Sequence, residues 1–396
     1  MPTPESTPHA PMSVVHIVKH CGYGNGNVHV AVDLACVQAR AGDDVTFVSN
    51  GGTFEPLLAQ YGVRHLKLEQ EQNKPLSLLR SAWKLAGFAR RRRPDVLHAH
   101  MMSSALIGYA ASKLSGVPLV TTVHNSFDPH SRLMRLGRKV VAVSRAEEAS
   151  LLTQGYSEEQ LVSVMNAPFN SPREEFMRET HMKDNYPVIE SPCIVAANGL
   201  HRRKGVFDLI TACAEVFPSQ PEWKLYIAGE GPDREALEAL AKSLGIAQRV
   251  IFLGFVPAPG PLLKQADIFV LASYADPCSL VIGEARGAGC AIVATSVGGT
   301  PEMLEFGRAG RLVSPGSPAE LATELQILIT DDKARTRLRA ASLQGSEIFN
   351  VQRLLEEYAT VYRAAGSARQ RSTVTKASWN NKAITSSKQQ GESPTW

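Results

Sequence analysis

Short apolar runs bounded by turn formers recur along this chain, and most are followed by a stretch with helical spacing. In the first half the runs are Val14–Val18, Val45–Val48, Val96–His98, Leu119–Val123, Lys139–Val143 and Leu161–Met165. Between them lie segments with apolar residues three and four apart: Val28–Ala41, Phe54–Tyr61, Leu76–Arg92, Ser104–Ser115 and Arg145–Gln154. Strands that alternate with helices, and that read as near-continuous apolar runs, predict a parallel doubly wound sheet.

A second series repeats the pattern. Strands are expected at Cys193–Ala197, Lys224–Ala228, Val250–Phe252, Ile268–Leu271 and Ala291–Ala294. Helices are expected at Val206–Val216, Arg234–Leu244, Val281–Ala288, Pro318–Thr330, onward to Leu343, and Val351–Ala365. Between the series, Pro168, Pro172, Pro187 and Pro192 punctuate a charged segment that reads as a linker. The expected organisation is a first domain over 12–168, a linker over 169–190, a second domain over 191–345, a C-terminal helix over 346–366 crossing back to the first domain, and a disordered polar tail over 367–396. In open α/β sheets ligands sit beyond the carboxyl ends of the strands, so two facing domains can hold two substrates.

Composition narrows the class. Of 396 residues, 44% are hydrophobic and 20% charged, as in soluble globular enzymes. The net charge of +4 is too small to argue for nucleic acid, and part of it is the local run Arg90–Arg93. No apolar run reaches the roughly 18 residues of a membrane span. The first eleven residues lack a signal-peptide core, and the six cysteines have no paired spacing. A reducing cytoplasm is expected, with neither a disulfide scaffold nor a metal cluster.

The segment Ser273–Glu302 carries the most chemistry. Asp276 and Glu284 lie eight positions apart, separated by Pro277 and a Cys-Ser-Leu turn that opens a helix. Two carboxylates at that spacing can grip a polyol at two points, and the free amides at a helix start suit a diphosphate. This reads as a nucleotide-sugar site. Cys278 on the same loop reads as a packing residue, since no activating His is near it in sequence.

The glycine turn Gly22–Gly26, the segment Pro94–His100, the segment Leu200–Gly205 and the stretch Asp276–Glu302 occur in an order that resembles the GT-B-fold retaining glycosyltransferases of family 4. The likeness runs from about Met12 to Gly366. It implies an α/β GT-B fold of two Rossmann-like domains facing across a cleft. It also implies a nucleotide-sugar donor held by the second domain, an acceptor held mainly by the first, retention of anomeric configuration, and neither metal nor cofactor.

The same resemblance supplies roles. Lys204 and Arg203 stabilise the departing phosphate, with Arg202 beside the donor; the family's Arg five residues before the Lys is here Gly199. Glu284 holds the ribose hydroxyls, and Asp276, where the family has Glu, contacts the transferred sugar. Backbone amides of Ser279 and Leu280 face the diphosphate. Gly22, Gly24 and Gly26 let the backbone approach the donor phosphates, and Gly298, Gly299 and Glu302 form a turn near it. His124 lies by the transferred sugar and donates to it through its backbone or ring. His98 and His100 are acceptor-side candidates, with packing the rival reading.

Two features remain open. The glycine turn lacks the third glycine of a dinucleotide fingerprint, which weakens an NAD reading. The basic helix 76–93 carries Leu78, Leu79, Ala82, Leu85, Ala86 and Ala89 on one face. That face either packs on the sheet, leaving the arginines solvated, or lies on an anionic membrane under a lipid-linked acceptor. The expected function is transfer of a sugar to a glycan or lipid-linked glycan in cell-surface polysaccharide or glycolipid synthesis. The place is the cytoplasm, including the inner face of the plasma membrane. The alternatives are a nucleotide-sugar epimerase and a non-catalytic nucleotide-sugar-binding protein.

Overall fold

The computed structural model describes residues 10–70, 75–181 and 186–366. Strands β1 (Ser13–Ile17), β2 (Asp44–Ser49), β3 (Arg64–Lys67), β4 (Val96–Ala99), β5 (Leu119–Val123), β6 (Lys139–Ala142) and β7 (Leu161–Ser163) form one sheet. Its order is β3-β2-β1-β4-β5-β6-β7, and the pairs are parallel. Strands β8 (Cys193–Ala197), β9 (Lys224–Ala228), β10 (Val250–Gly254), β11 (Ile268–Leu271), β12 (Ala291–Thr295) and β13 (Arg311–Val313) form the second, in the order β10-β9-β8-β11-β12-β13. In each sheet the strand order reverses beside the first strand, between β1 and β4 and between β8 and β11. That is where a crevice opens at the carboxyl ends.

Strands covered by helices on both faces need apolar residues at every position, and β5, β11 and β12 are buried throughout. Two strands were missing from the expected set, β3 and β13. Both are sheet edges, three or four residues long with charged ends, and so present no apolar run.

The segment expected as a linker is in part a helix, Pro172–His181. Pro172 suits the first helical turn, Glu174 and Glu175 complement the helix dipole, and the Ser171 hydroxyl accepts from the Glu174 amide. This helix packs on Gly26–Arg40 of the first domain, and its Arg173 is buried. Pro172 marks a helix start, while Pro168, Pro187 and Pro192 lie in irregular backbone.

Residues 351–366 form a helix that returns to the first sheet. Val351, Leu354, Tyr358, Val361, Tyr362 and Ala365 face Val14, Val96, Val120 and Val141. The chain thus crosses between the domains twice, side by side. The Phe169 amide donates to the Phe349 carbonyl (2.8 Å) and the Val351 amide to the Phe169 carbonyl (2.9 Å). The helix Leu280–Gly287 lies against this pair. A Cβ at Gly287 would strike the Phe169 ring, and one at Gly283 would crowd Pro168 and Phe349, so glycine is required by the close approach.

In the basic helix Pro75–Arg92, Ala82, Leu85, Ala86 and Ala89 are buried as expected. Leu79 is not, and with Leu76 and Trp83 it forms an exposed apolar strip, Trp83 being 64% exposed. No described helix is long and apolar enough to cross a membrane. The expected tail over 367–396 lies outside the described residues.

Candidate functional site

The carboxyl ends of β8, β11 and β12 carry the loops singled out in the sequence. Lys204 ends the short turn Arg202–Lys204, and its Nζ donates to Asp276 Oδ2 at 2.6 Å. The two residues are 72 positions apart and both are mostly buried. Gly205, with φ of 65°, lets this turn pass over the carbonyl of Ala272. Neither arginine joins the pair. Arg202 lies over the ring of Phe207 (4.3 Å) and Arg203 is exposed, its carbonyl accepting from the Tyr274 amide. At Gly199 the ring of His201 sits 3.2 Å from where a Cβ would be.

Asp276 leads into helix Leu280–Gly287, capped by Ser279 in an extended conformation with no side-chain hydrogen bond to the first turn. The Ile282 amide donates to the Ser279 carbonyl (3.3 Å), and the amides before it lie at a helix start, where no preceding turn offers them a carbonyl. Gly298 presses against the Asp276 carbonyl, which only glycine allows, and the Gly299 amide donates to the Pro277 carbonyl (2.9 Å). Buried polar atoms without partners cluster on the same strand ends: Asn198 Oδ1, Ser273 Oγ and Thr300 Oγ1.

The first domain holds this loop directly. The Ser144 hydroxyl donates to the Pro277 carbonyl (2.9 Å) and Asn166 Nδ2 to the Cys278 carbonyl (3.0 Å). Glu302 accepts from the Arg145 amide (2.9 Å), and so caps the helix Arg145–Thr153 across the cleft. On the glycine turn, Gly24 has φ of 78°, Tyr23 stacks on Phe255, and Gly26 lies against Leu280. Gly22 is ordinary backbone. Ser144, Arg145 and Asn166 were not foreseen. Each is a polar residue at a strand end, a weak signal that only the facing loop makes specific.

Glu284 is fully buried at the domain junction, with Arg173 Nη2 3.7 Å from its Oε1. Arg173 Nε lies 3.5 Å from Asp33 Oδ2, and Asp33 Oδ1 accepts from Ser171 Oγ (2.6 Å). Burial pushes the Glu284 carboxyl up to about 7 against the pull of Arg173. A cavity of about 400 Å³ opens beside it, lined by Arg40, Glu174, Arg178, Lys264 and Gly287 among others; Lys204 and Asp276 are not in its wall. Arg173 and Asp33 were not foreseen, because residues 140 apart in sequence meet only through the domain crossing.

The histidine assignments change. His98 is fully buried, its Nδ1 paired with the Tyr362 hydroxyl (2.8 Å) and its Nε2 with Thr122 Oγ1 (2.8 Å). His100 is buried too, between His16 and His124. Neither is placed to meet an acceptor, because both rings point into the sheet-to-helix interface. His124, at the end of β5, is part-exposed. Cys278 packs against Met303, and burial pushes its thiol up to about 12, as befits a packing residue.

Two Rossmann-like domains whose strand ends face across a cleft, with a cation–carboxylate pair and a helix start on one side, define a two-domain transferase of the GT-B type. Known proteins agree. Residues 177–344 match the family model described as glycosyl transferases group 1, and residues 24–167 match that of Glycosyltransferase Family 4. The chain belongs to this glycosyltransferase family. It is 28% identical to the N-acetyl-alpha-D-glucosaminyl L-malate synthase of Bacillus anthracis over 85% of this chain and 93% of that protein. It is 24% identical to the lipopolysaccharide core biosynthesis glycosyltransferase LpsE of Rhizobium meliloti, over 83% and 92%. Among solved structures, Anabaena HepE in complex with UDP-glucose superimposes with a TM-score of 0.74 at 21% identity, over 89% of this chain and 100% of that one.

Proposed function

We propose that this glycosyltransferase takes its sugar from a nucleotide-diphosphate sugar and transfers it with retention, without a metal, to a glycan or lipid-linked glycan acceptor. The observation that carries this is the Lys204–Asp276 pair beside the uncapped start of helix Leu280–Gly287. Cleaving a sugar–diphosphate bond puts charge on the departing phosphate. A lysine and a row of helix amides set at that point stabilise the transition state more than the ground state. The Lys204 ammonium is released from Asp276 to the phosphate, and the Asp276 carboxylate is freed to accept sugar hydroxyls. With no nucleophile beside this pair among the described residues, the acceptor hydroxyl attacks on the face the diphosphate leaves, and the leaving phosphate takes its proton.

The likeness to LpsE, a lipopolysaccharide core biosynthesis glycosyltransferase, supports a cell-surface glycan or glycolipid acceptor. HepE, solved with UDP-glucose, supports a nucleoside diphosphate sugar as donor. The strip Leu76, Leu79 and Trp83, flanked by Arg80, Lys84 and Arg90–Arg93, supports docking on an anionic membrane at its cytoplasmic face.

The test is a melting screen with nucleoside diphosphates and their sugars in EDTA, followed by product analysis by NMR. A ligand at about 100 times its dissociation constant raises stability by about 2.7 kcal/mol. One nucleotide class should raise the melting point, and the product's anomeric configuration should match the donor's. Inversion, or a shift that appears only with metal, would reject the proposal.

A further inference from the structure

Four histidines meet on one face of the first sheet through strand parity. The register pairs His16 of β1 with His98 of β4, and His98 with Val120 of β5. Two residues further on come His100 and Thr122, and two beyond Thr122 comes His124. The returning helix lays Tyr358 and Tyr362 over them.

Their hydrogen bonds form one chain. His16 Nε2 lies 2.7 Å from Gln38 Oε1, His16 Nδ1 lies 3.0 Å from His100 Nε2, and His100 Nδ1 lies 3.3 Å from His124 Nε2. The Gln38 amide nitrogen donates to the Tyr362 hydroxyl (3.5 Å), which leaves its oxygen for His16. A carbonyl oxygen can only accept, so His16 Nε2 carries the proton and its Nδ1 is bare. His100 must then donate from Nε2 and accept at Nδ1, and His124 must donate from Nε2. A second proton on His16 or His100 would set two N–H groups head to head at these contacts. Burial likewise disfavours the charged form throughout, holding His16 down at about 4 and His124 at about 3. The result is a directed chain ending in the bare Nδ1 of His124, which has no partner among the described residues.

We propose that Gln38 and His16 are positioning residues that hold His124 in the Nε2–H tautomer, so that its Nδ1 is a standing acceptor for a substrate hydroxyl in the cleft. The hydroxyl's identity as a sugar's rests on the function proposed above. The geometry selects a neutral polyol over a phosphate, because a bare ring nitrogen attracts an O–H and repels an anion. It reverses the expectation that the ring of His124 donates. The same imidazoles place nitrogens within 4.8 Å of one another, as a metal site would. Both nitrogens of His16, His98 and His100 are already engaged, so hydrogen bonding accounts for the cluster.

The test is nitrogen-15 NMR of the full chain labelled at histidine, with His124 assigned by its loss in His124→Asn. Ligand-free protein should show His124 as the Nε2–H tautomer at neutral pH, and Gln38→Met should turn it into a tautomer mixture. Gln38→Glu, which keeps the acceptor, should preserve the tautomer and covers the case in which the Met variant does not fold. In transfer assays His124→Asn, which puts a shorter acceptor near the place of Nδ1, should lose less of kcat/KM than His124→Leu. His124→Leu should lose roughly tenfold, the size of one neutral hydrogen bond, chiefly in KM. An Nδ1–H tautomer, an imidazolium, an unchanged signal in Gln38→Met, or stoichiometric Zn²⁺ binding that shifts His16 and His100 would overturn the proposal. The tautomer is read without substrate, so its failure is distinct from failure of the donor screen.

Discussion

The floor of the first domain and the junction between the domains both bury polar side chains completely, and they do so in opposite ways. Under the C-terminal helix, neutral imidazoles, hydroxyls and one amide pair end to end within hydrogen-bond distance. At the junction, formal charges face one another at 3.5 and 3.7 Å, and Arg173 Nε and Nη2 make no hydrogen bond. A fully satisfied neutral network fixes one geometry. A buried ion pair held loosely is weak evidence for stability, and it keeps hydrogen-bonding capacity in reserve. The first region holds a ring in place; the second can exchange partners.

That contrast can be broken in four places. The largest effect is expected at Arg173: Arg173→Met leaves Asp33 and Glu284 buried without a counter-charge, costing roughly 3–5 kcal/mol in urea unfolding. Adding Glu284→Leu should recover part of the loss, and a single variant as stable as the parent would show that the junction is not a charged unit. Next, Lys204→Ala should cut turnover roughly 100-fold, the size of one lost oxyanion-type donor. A near-normal rate would remove Lys204 from the chemistry.

Acid separates the two regions by sign. The floor histidines are held below 6.5, His16 at about 4. Their contribution is complete above pH 6.5 and lost as pH falls toward 4, at about 1.4 kcal/mol per pH unit for each. Glu284 is raised from 4.5 to about 7. Its contribution is complete below pH 4.5 and lost as pH rises toward 7. The two windows overlap between pH 4.5 and 6.5 with opposite sign, so Glu284→Gln should make the rise of stability with pH steeper there and leave the slope below pH 4.5 unchanged in unfolding measured from pH 3.5 to 8. A changed slope below pH 4.5 would mean the two regions are coupled. The smallest effect is expected from Leu79→Ser with Trp83→Ser, which should weaken sedimentation with anionic vesicles while leaving the unfolding free energy within about 0.5 kcal/mol of the parent, as for exposed positions. Equal vesicle binding would leave the strip without that role.

The sequence disclosed the parts of the molecule whose signal is local. Apolar runs located the central strands, and the Asp276–Glu284 stretch located a loop at a strand end with the helix that follows it. Edge strands β3 and β13 escaped because a short charged edge has no apolar period. The junction escaped because Asp33, Arg173 and Glu284 are brought together only by the double crossing. The histidines were visible individually, yet their roles follow from parity and register. His98 points at Tyr362, 264 residues away, which a motif cannot show.

The crossing itself has a mechanical consequence. Because residues 351–366 return to the sheet they left at β7, the whole second domain is an insertion within the first, tethered at both ends. The two tethers are stitched to each other at Phe169 and Phe349 like the knuckles of a leaf hinge. A paired joint of this kind restricts twist and sliding between the domains, so any opening of the cleft would carry Lys204 and Asp276 along one arc and back to the same opposing surface.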